Sequence, residues 1–134
     1  MTMFKNKDRP MLENKGDAGA DLVSAEDKTI YPGQGASIRT TYLYDIDDPE
    51  LMGIVAGRSG LAFKKDILAH QGTIDSGYAG NPVFVKLWNM GHEPFKIITG
   101  DRIAQIIIVE KVTHNYFESK GYTRSGGLGS SGGF

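Results

Sequence analysis

The chain has 134 residues, no cysteine, 40% hydrophobic residues and a net charge of -1, a size at which a sizeable core forms without covalent staples. The missing cysteines exclude disulfides and thiolate metal sites and fit a reducing, cytoplasmic setting, and no apolar run approaches the ~18 residues of a membrane span. Mixed charge close to neutrality argues against a surface that coats nucleic acid or a membrane, so any anion site must be built locally.

The whole chain is expected to be one domain, 1–134, with an arm over about 1–15 and a Gly/Ser-rich tail over about 122–134. The N-terminal MTMFKNKDRP carries no signal-type apolar stretch, and the arm reads as an edge strand or lead-in. From Gly16, GDAGADLVSAEDKTIYPGQ supplies a short apolar piece (Ala20, Leu22, Val23), an acidic turn, and a second short strand stopped by Pro32 and Gly33. Asp21 lies inside the apolar piece, where a carboxylate must be hydrogen-bonded, paired or near a metal. Ala36 to Tyr44 alternates as a half-buried strand. Asp45 to Glu50 is expected to be a solvated acidic turn, because its spacing misses the calcium-loop pattern.

Leu51 to Ala56 reads as another strand, running into GRSGLAFKK. Ser59 is expected to cap a short helix from about Gly60, with Arg58 bringing a positive charge to the same end. Such a start is either a small phosphate cradle or an ordinary capped turn with a surface Arg.

Gly72 to Gly91, GTIDSGYAGNPVFVKLWNMG, is the organising stretch. It is expected to be a hairpin, with Asp75 and Tyr78 together at its mouth. Val83, Val85 and Leu87 alternate with Phe84, Lys86 and Trp88 at period two. Asp75 is either a functional carboxylate or an acceptor of turn amides.

Further on, Pro94 to Ile98 is strand-like and Ile103 to Val112 is another strand, whose run Ile106 to Val109 suggests burial on both faces and hence against another subunit. Gln105 interrupts that run and requires partners for its amide. The tail YTRSGGLGSSGGF has the composition of a linker, yet Gly and Ser beside Arg124 also suit a loop that wraps a phosphate. No stretch shows ten residues of helical period, and no metal spacing or Ser-His-Asp set stands out. The expected fold is all-β, a sandwich or jelly roll.

Taken in order, GADLVSAED, GRSGLA, GTIDSGYAG, GDRIAQ and RSGGLGSSG resemble the five motifs of the trimeric dUTPase (dUTP diphosphatase) family, over Gly16 to Gly132. The resemblance implies a jelly-roll homotrimer with a flexible C-terminal arm and active sites at subunit interfaces. Their reaction is the magnesium-dependent hydrolysis of dUTP to dUMP and pyrophosphate. It further implies that Asp75 holds the water attacking the α-phosphorus in line. Tyr78 packs on the deoxyribose face and leaves no room for a 2′-hydroxyl, while backbone near Ala69, Thr73, Ile74 and Val83 reads uracil. Arg58, Ser59, Gly60 and Gln105 hold the phosphate chain, Asp21 reaches the triphosphate-bound Mg2+ through water, and Arg124, Gly127, Leu128 and Ser130 close over the substrate.

The tail departs from the family pattern. One residue rather than two separates Arg124 from the Gly pair, and Leu128 replaces the Phe that stacks on uracil. Ala69 falls where many bacterial members carry Asn, which restricts contact there to the main chain. Three other readings compete with the enzyme. One is a dUTP-binding regulator with weak turnover and an unknown protein partner, as some phage-borne members are. The second is a dCTP deaminase on the same fold, and the third a β-sandwich binding module with no nucleotide.

Overall fold

A computed structural model describes residues 9–121 of the chain. Nine strands and one α-helix lie within them: β1 (Ala20–Val23), β2 (Lys28–Ile30), β3 (Gly35–Leu43), β4 (Leu51–Ala56), α1 (Ser59–Lys65), β5 (Ile67–Ala69), β6 (Gly72–Ile74), β7 (Pro82–Asn89), β8 (Phe95–Ile97) and β9 (Arg102–Glu110). The strands pair antiparallel in a four-stranded sheet ordered β1-β9-β4-β6, a three-stranded sheet ordered β3-β7-β5, and the pair β2-β8.

Period-two alternation sets which face of each strand turns inward. On β7, Val83, Val85 and Leu87 are buried while Phe84 and Trp88 face outward, and on β3 Ile38, Thr40 and Tyr42 are buried between more exposed neighbours. These side chains share one core with Leu22, Val55, Ile103 and Ile106 of the larger sheet and with Ile30 and Ile97 of the β2-β8 pair. The all-β expectation holds, and no helix among the described residues is long and apolar enough to cross a membrane.

Three expectations need correction. First, Gly72 to Gly91 is not a simple hairpin, because β6 pairs with β4 whereas β7 pairs with β3 and β5. The chain follows β7 through Ala69 opposite Leu87, and the His70 N–H still donates to the Lys86 carbonyl (2.8 Å). It then crosses to the other sheet. Alternation fixes the buried face of a strand, not its neighbour, so the sequence pattern could not separate these arrangements.

Second, the Asp45 to Glu50 turn is not wholly solvated. Asp45 is 4% exposed, accepts the Tyr42 hydroxyl and pairs with Arg9 at 3.1 Å. A carboxylate is stable there because both oxygens have partners. Third, β9 ends at Glu110, and its burial fades along the strand: Ile103 and Ala104 are fully buried on opposite faces and Ile106 is buried, whereas Ile108, on the same face as Ala104 and Ile106, is 40% exposed.

The described part of the arm, from residue 9, lies against the outer edge of β1. The Asp21 N–H donates to the Met11 carbonyl at 3.1 Å, and Arg9 and Glu13 fasten it by ion pairs on either side.

Candidate active site

β9 runs through the middle of a polar cluster. Its Gln105 lies opposite Asp21 of β1 on one side and Ala56 of β4 on the other. The Gln105 amide donates to the Gly57 carbonyl at 2.8 Å, which satisfies the partner that an amide in an apolar run requires. Immediately beyond β4, Arg58, Ser59 and Gly60 turn into α1. These residues line a cavity of about 240 Å³ together with Asp21, Gln105 and Glu13. A Cβ placed on Gly60 would meet nothing within 4 Å, so the space before it is open.

Charges alternate along this cluster. Asp21 lies between two guanidinium groups, 3.7 Å from Arg58 Nε and 3.5 Å from a terminal nitrogen of Arg102. Arg102 also pairs with Glu13 at 2.5 Å, and Glu13, then Asp21, raises its pKa further above the usual guanidinium range. Because Asp21 is only about one-fifth exposed, this pairing is what keeps a carboxylate tolerable at the cavity wall.

The expected Ser59 cap is absent. Arg58 occupies the N-cap position in extended conformation, no side chain caps the helix, and α1 begins at Ser59 itself. The cause is local: the Arg58 carbonyl already accepts the Ala62 N–H at 3.1 Å, so the first helical bond starts one residue earlier than predicted.

A second cluster surrounds the margin strand β6. Asp75 directly follows it, at the N-cap position of a 3-10 turn over Ser76–Tyr78, and does not cap that turn with its side chain. Asp75 and Thr73 line a separate cavity of about 360 Å³ with Met52, Lys111, His114 and Phe117. Tyr78 packs against the core, its hydroxyl donating to the Pro82 carbonyl at 2.6 Å, and its ring is therefore held in a fixed orientation. Burial pushes the Tyr78 phenol up. Val83 is fully buried, and its carbonyl accepts the Thr40 hydroxyl at 2.8 Å, so its side chain belongs to the core rather than to a binding wall.

The predicted residues thus fall into two groups within one chain. Asp21, Arg58, Ser59, Gly60 and Gln105 form one; Thr73, Ile74, Asp75 and Tyr78 form the other, with Ala69 on neighbouring β5. The two cavities share no lining residue. Arg124, Gly127, Leu128 and Ser130 lie outside the described residues. Sequence reasoning missed Arg102 and Glu13: GDRIAQ contains Arg102 but says nothing of what it pairs with, and Glu13 reaches it across 89 positions.

No group of three or more His, Asp or Glu among the described residues is arranged to hold a metal ion. The carboxylates on the cavity wall, Glu13, Asp17 and Asp21, suit an ion that keeps most of its waters and takes its other ligands from a phosphate chain, as magnesium does.

A family model described as dUTPase matches residues 5–132. The deoxyuridine 5'-triphosphate nucleotidohydrolase of Haemophilus influenzae (strain Rd) is 39% identical over 131 residues, covering 92% of this chain and 86% of the relative. That of Laribacter hongkongensis is 39% identical over 132 residues, covering 92% and 88%. Among solved structures, the dUTPase from phage phi11 of S. aureus superposes with a TM-score of 0.73 at 23% identity, over 91% of this chain and 95% of that one. A variant of that phage enzyme, described through its coordination of a structural Mg(II) ion, gives 0.74 at 24% over the same shares. The Staphylococcus bacteriophage 80alpha dUTPase gives 0.71 at 24%, over 92% and 96%.

Proposed function

The chain belongs to the dUTPase family, and we propose on that footing that it hydrolyses dUTP to dUMP and pyrophosphate in sites assembled between copies of the chain. The observation that carries this reading is the separation of the two clusters. From β1 to β6 there are three strand-to-strand steps, about 14 Å. Ile74 lies opposite Gly53 while Asp21 is in register with Ala56, which adds roughly 10 Å along the strands. One carboxylate cannot serve the α-phosphorus while the other serves the same phosphate chain across that distance. A neighbouring copy brings the two halves together, and a homotrimer with three such sites fits the closed symmetry of soluble oligomers.

Asp75 then acts as base and positioner, holding a water in line with the α-phosphorus and taking its proton. Arg58, Ser59, Gly60 and the Gln105 amide bind the phosphate chain of the adjacent subunit's substrate, with the guanidinium supplying a fixed charge where negative charge develops. Tyr78, held by its bond to Pro82, packs its ring on the deoxyribose where a ribose 2′-hydroxyl would meet it. Backbone at Ala69, Thr73, Ile74 and Val83 reads the uracil edge. Asp21 would hold Mg2+ through water. The ion, when bound, neutralises charge on the triphosphate. Arg124, Gly127, Leu128 and Ser130 close the site.

The test is pyrophosphate release by the full chain from dUTP, dTTP, dCTP and UTP, with and without magnesium. Selective, magnesium-dependent release from dUTP is expected. No release with dUTP still bound would overturn the enzyme in favour of a dUTP-binding regulator, and ammonia release from dCTP would place the chain with the deaminases. Asp75→Asn is expected to keep nucleotide binding and to lower turnover by several orders of magnitude.

A further inference from the structure

Tyr44, which lies in none of the five motifs, makes contact with the Ile74–Asn81 segment at four separate points. It follows directly on β3 and is fully buried. Its N–H donates to the Asn81 carbonyl at 2.9 Å, and its carbonyl accepts the Gly80 N–H at 2.8 Å. Its hydroxyl reaches the Ile74 carbonyl in a long bond of 3.5 Å. Its ring meets the Tyr78 ring edge-on at 6.5 Å between centroids.

We propose that Tyr44 is the positioning residue of the catalytic turn: it clamps the segment from Ile74 to Asn81 on both sides and thereby sets where Asp75 and the Tyr78 ring stand. The inference rests on the roles given above to Asp75 and Tyr78. Two main-chain bonds fix the distal end of the turn, at Gly80, whose φ of 94° only glycine adopts without strain, and at Asn81. The hydroxyl fixes the proximal end, at the peptide that joins Ile74 to Asp75. The ring fills the space between, and edge-to-face packing of this kind specifies an angle as well as a distance.

Tyr78 N–H to Asp75 carbonyl, Ala79 N–H to Ser76 carbonyl and Asn81 N–H to Tyr78 carbonyl all lie within the turn, and hold its shape rather than its place. Tyr44 in turn is fixed from below. A Cβ on Gly53 would come within 3.1 Å of the Tyr44 ring and 3.2 Å of its hydroxyl, so glycine at Gly53, directly opposite Ile74 on β4, is what lets the phenol lie under β6. Burial above all, with Tyr42, Asp75 and Asp45 adding to it, raises the Tyr44 phenol far above its ordinary value. The hydroxyl is therefore a donor at every working pH.

The experiment compares wild type, Tyr44→Phe, Tyr44→Leu and Gly53→Ala for turnover of dUTP and UTP, and for amide hydrogen exchange of residues 72–82 without nucleotide. Tyr44→Phe keeps the ring and both main-chain bonds; it should lower kcat about three- to tenfold with KM little changed, as expected for loss of one hydrogen bond that matters to alignment. Tyr44→Leu should erode the preference for dUTP over UTP by about tenfold or more. It should also speed exchange in 72–82, leaving β9 protected. If Tyr44→Leu fails to fold, Gly53→Ala takes its place and should shift both readouts in the same direction. A folded Tyr44→Leu or Gly53→Ala protein with unchanged substrate preference and unchanged exchange overturns the proposal. Absence of dUTP turnover in wild type overturns the functional reading instead, and exchange still decides whether Tyr44 clamps the turn.

Discussion

Asp21 and Asp75 stand at opposite margins of one four-stranded sheet, Asp21 on β1 and Asp75 at the exit of β6. On the proposed reading each belongs to one half of a site. Asp21 has guanidinium groups and an open polar cavity beside it, while Asp75 has a margin strand and an oriented aromatic ring.

Co-refolding Asp75→Asn with Arg58→Ala, each nearly inactive alone, should therefore restore activity. In a random mixture, roughly a quarter of sites receive both intact halves from different chains. Titrating the ratio of the two variants and assaying pyrophosphate release measures this. No recovery at any ratio would mean that each chain builds its own site.

Gly19 lies against the Gln105 side chain. A Cβ there would fall 2.5 Å from Gln105 Oε1, the far end of a flexible side chain. Gly19→Ala should lower the melting temperature modestly, because the amide can swing away whereas Gln105 Cβ, 3.2 Å from the added atom, must shift, and the bond from Gln105 to the Gly57 carbonyl is lost. With one phosphate ligand displaced, KM for dUTP should rise about three- to tenfold. Steady-state kinetics beside a thermal melt separates this from unfolding.

Burial first and the Asp45 contact second push the Tyr42 phenol from its ordinary 10.0 up to about 12. The folded protein therefore keeps a proton that the unfolded chain releases, and stability falls as pH rises through that interval while remaining intact below it. Urea midpoints measured at rising alkaline pH should decline over this window and less steeply in Tyr42→Phe. Phenolate absorbance should show Tyr42 ionising only as the protein unfolds.

Asn89 ties the end of β2 and the β7–β8 loop to the end of β7. Its amide donates to the carbonyls of Ile30 (2.8 Å) and Glu93 (2.7 Å), and its oxygen accepts the Gly91 N–H (2.9 Å), all from a fully buried position. Asn89→Ala strips partners from buried groups and should cost roughly 2–4 kcal/mol. Denaturant unfolding would read this, and nucleotide affinity should hold at temperatures where the variant is folded.

Much of this was legible in the chain itself, for reasons that differ from residue to residue. The inward faces of β3 and β7 were readable because a period of two reports directly on burial. Asp21 and Gln105 stood out as polar groups between apolar neighbours and Arg58 as a charge at a helix start, and the structure joins Asp21 to Gln105 across adjacent strands and to Arg58 by an ion pair. What failed depended on partners distant in sequence. Asp45 is buried because Arg9 comes from the arm; β6 leaves β7 because β4 is available to it; and Tyr44 reads as one more apolar position until its contacts with Gly80 and Asn81 are seen.

β6 is three residues long and forms the margin of its sheet. An open strand edge of that length offers too few groups in a row to recruit another polypeptide. On the proposed reading its exposed amides and carbonyls meet instead the donors and acceptors of a single heterocycle, which extend the sheet sideways by one rung. The pyrimidine then completes the sheet as a surrogate strand, and the capacity that elsewhere drives fibril growth is here spent on recognising one small molecule.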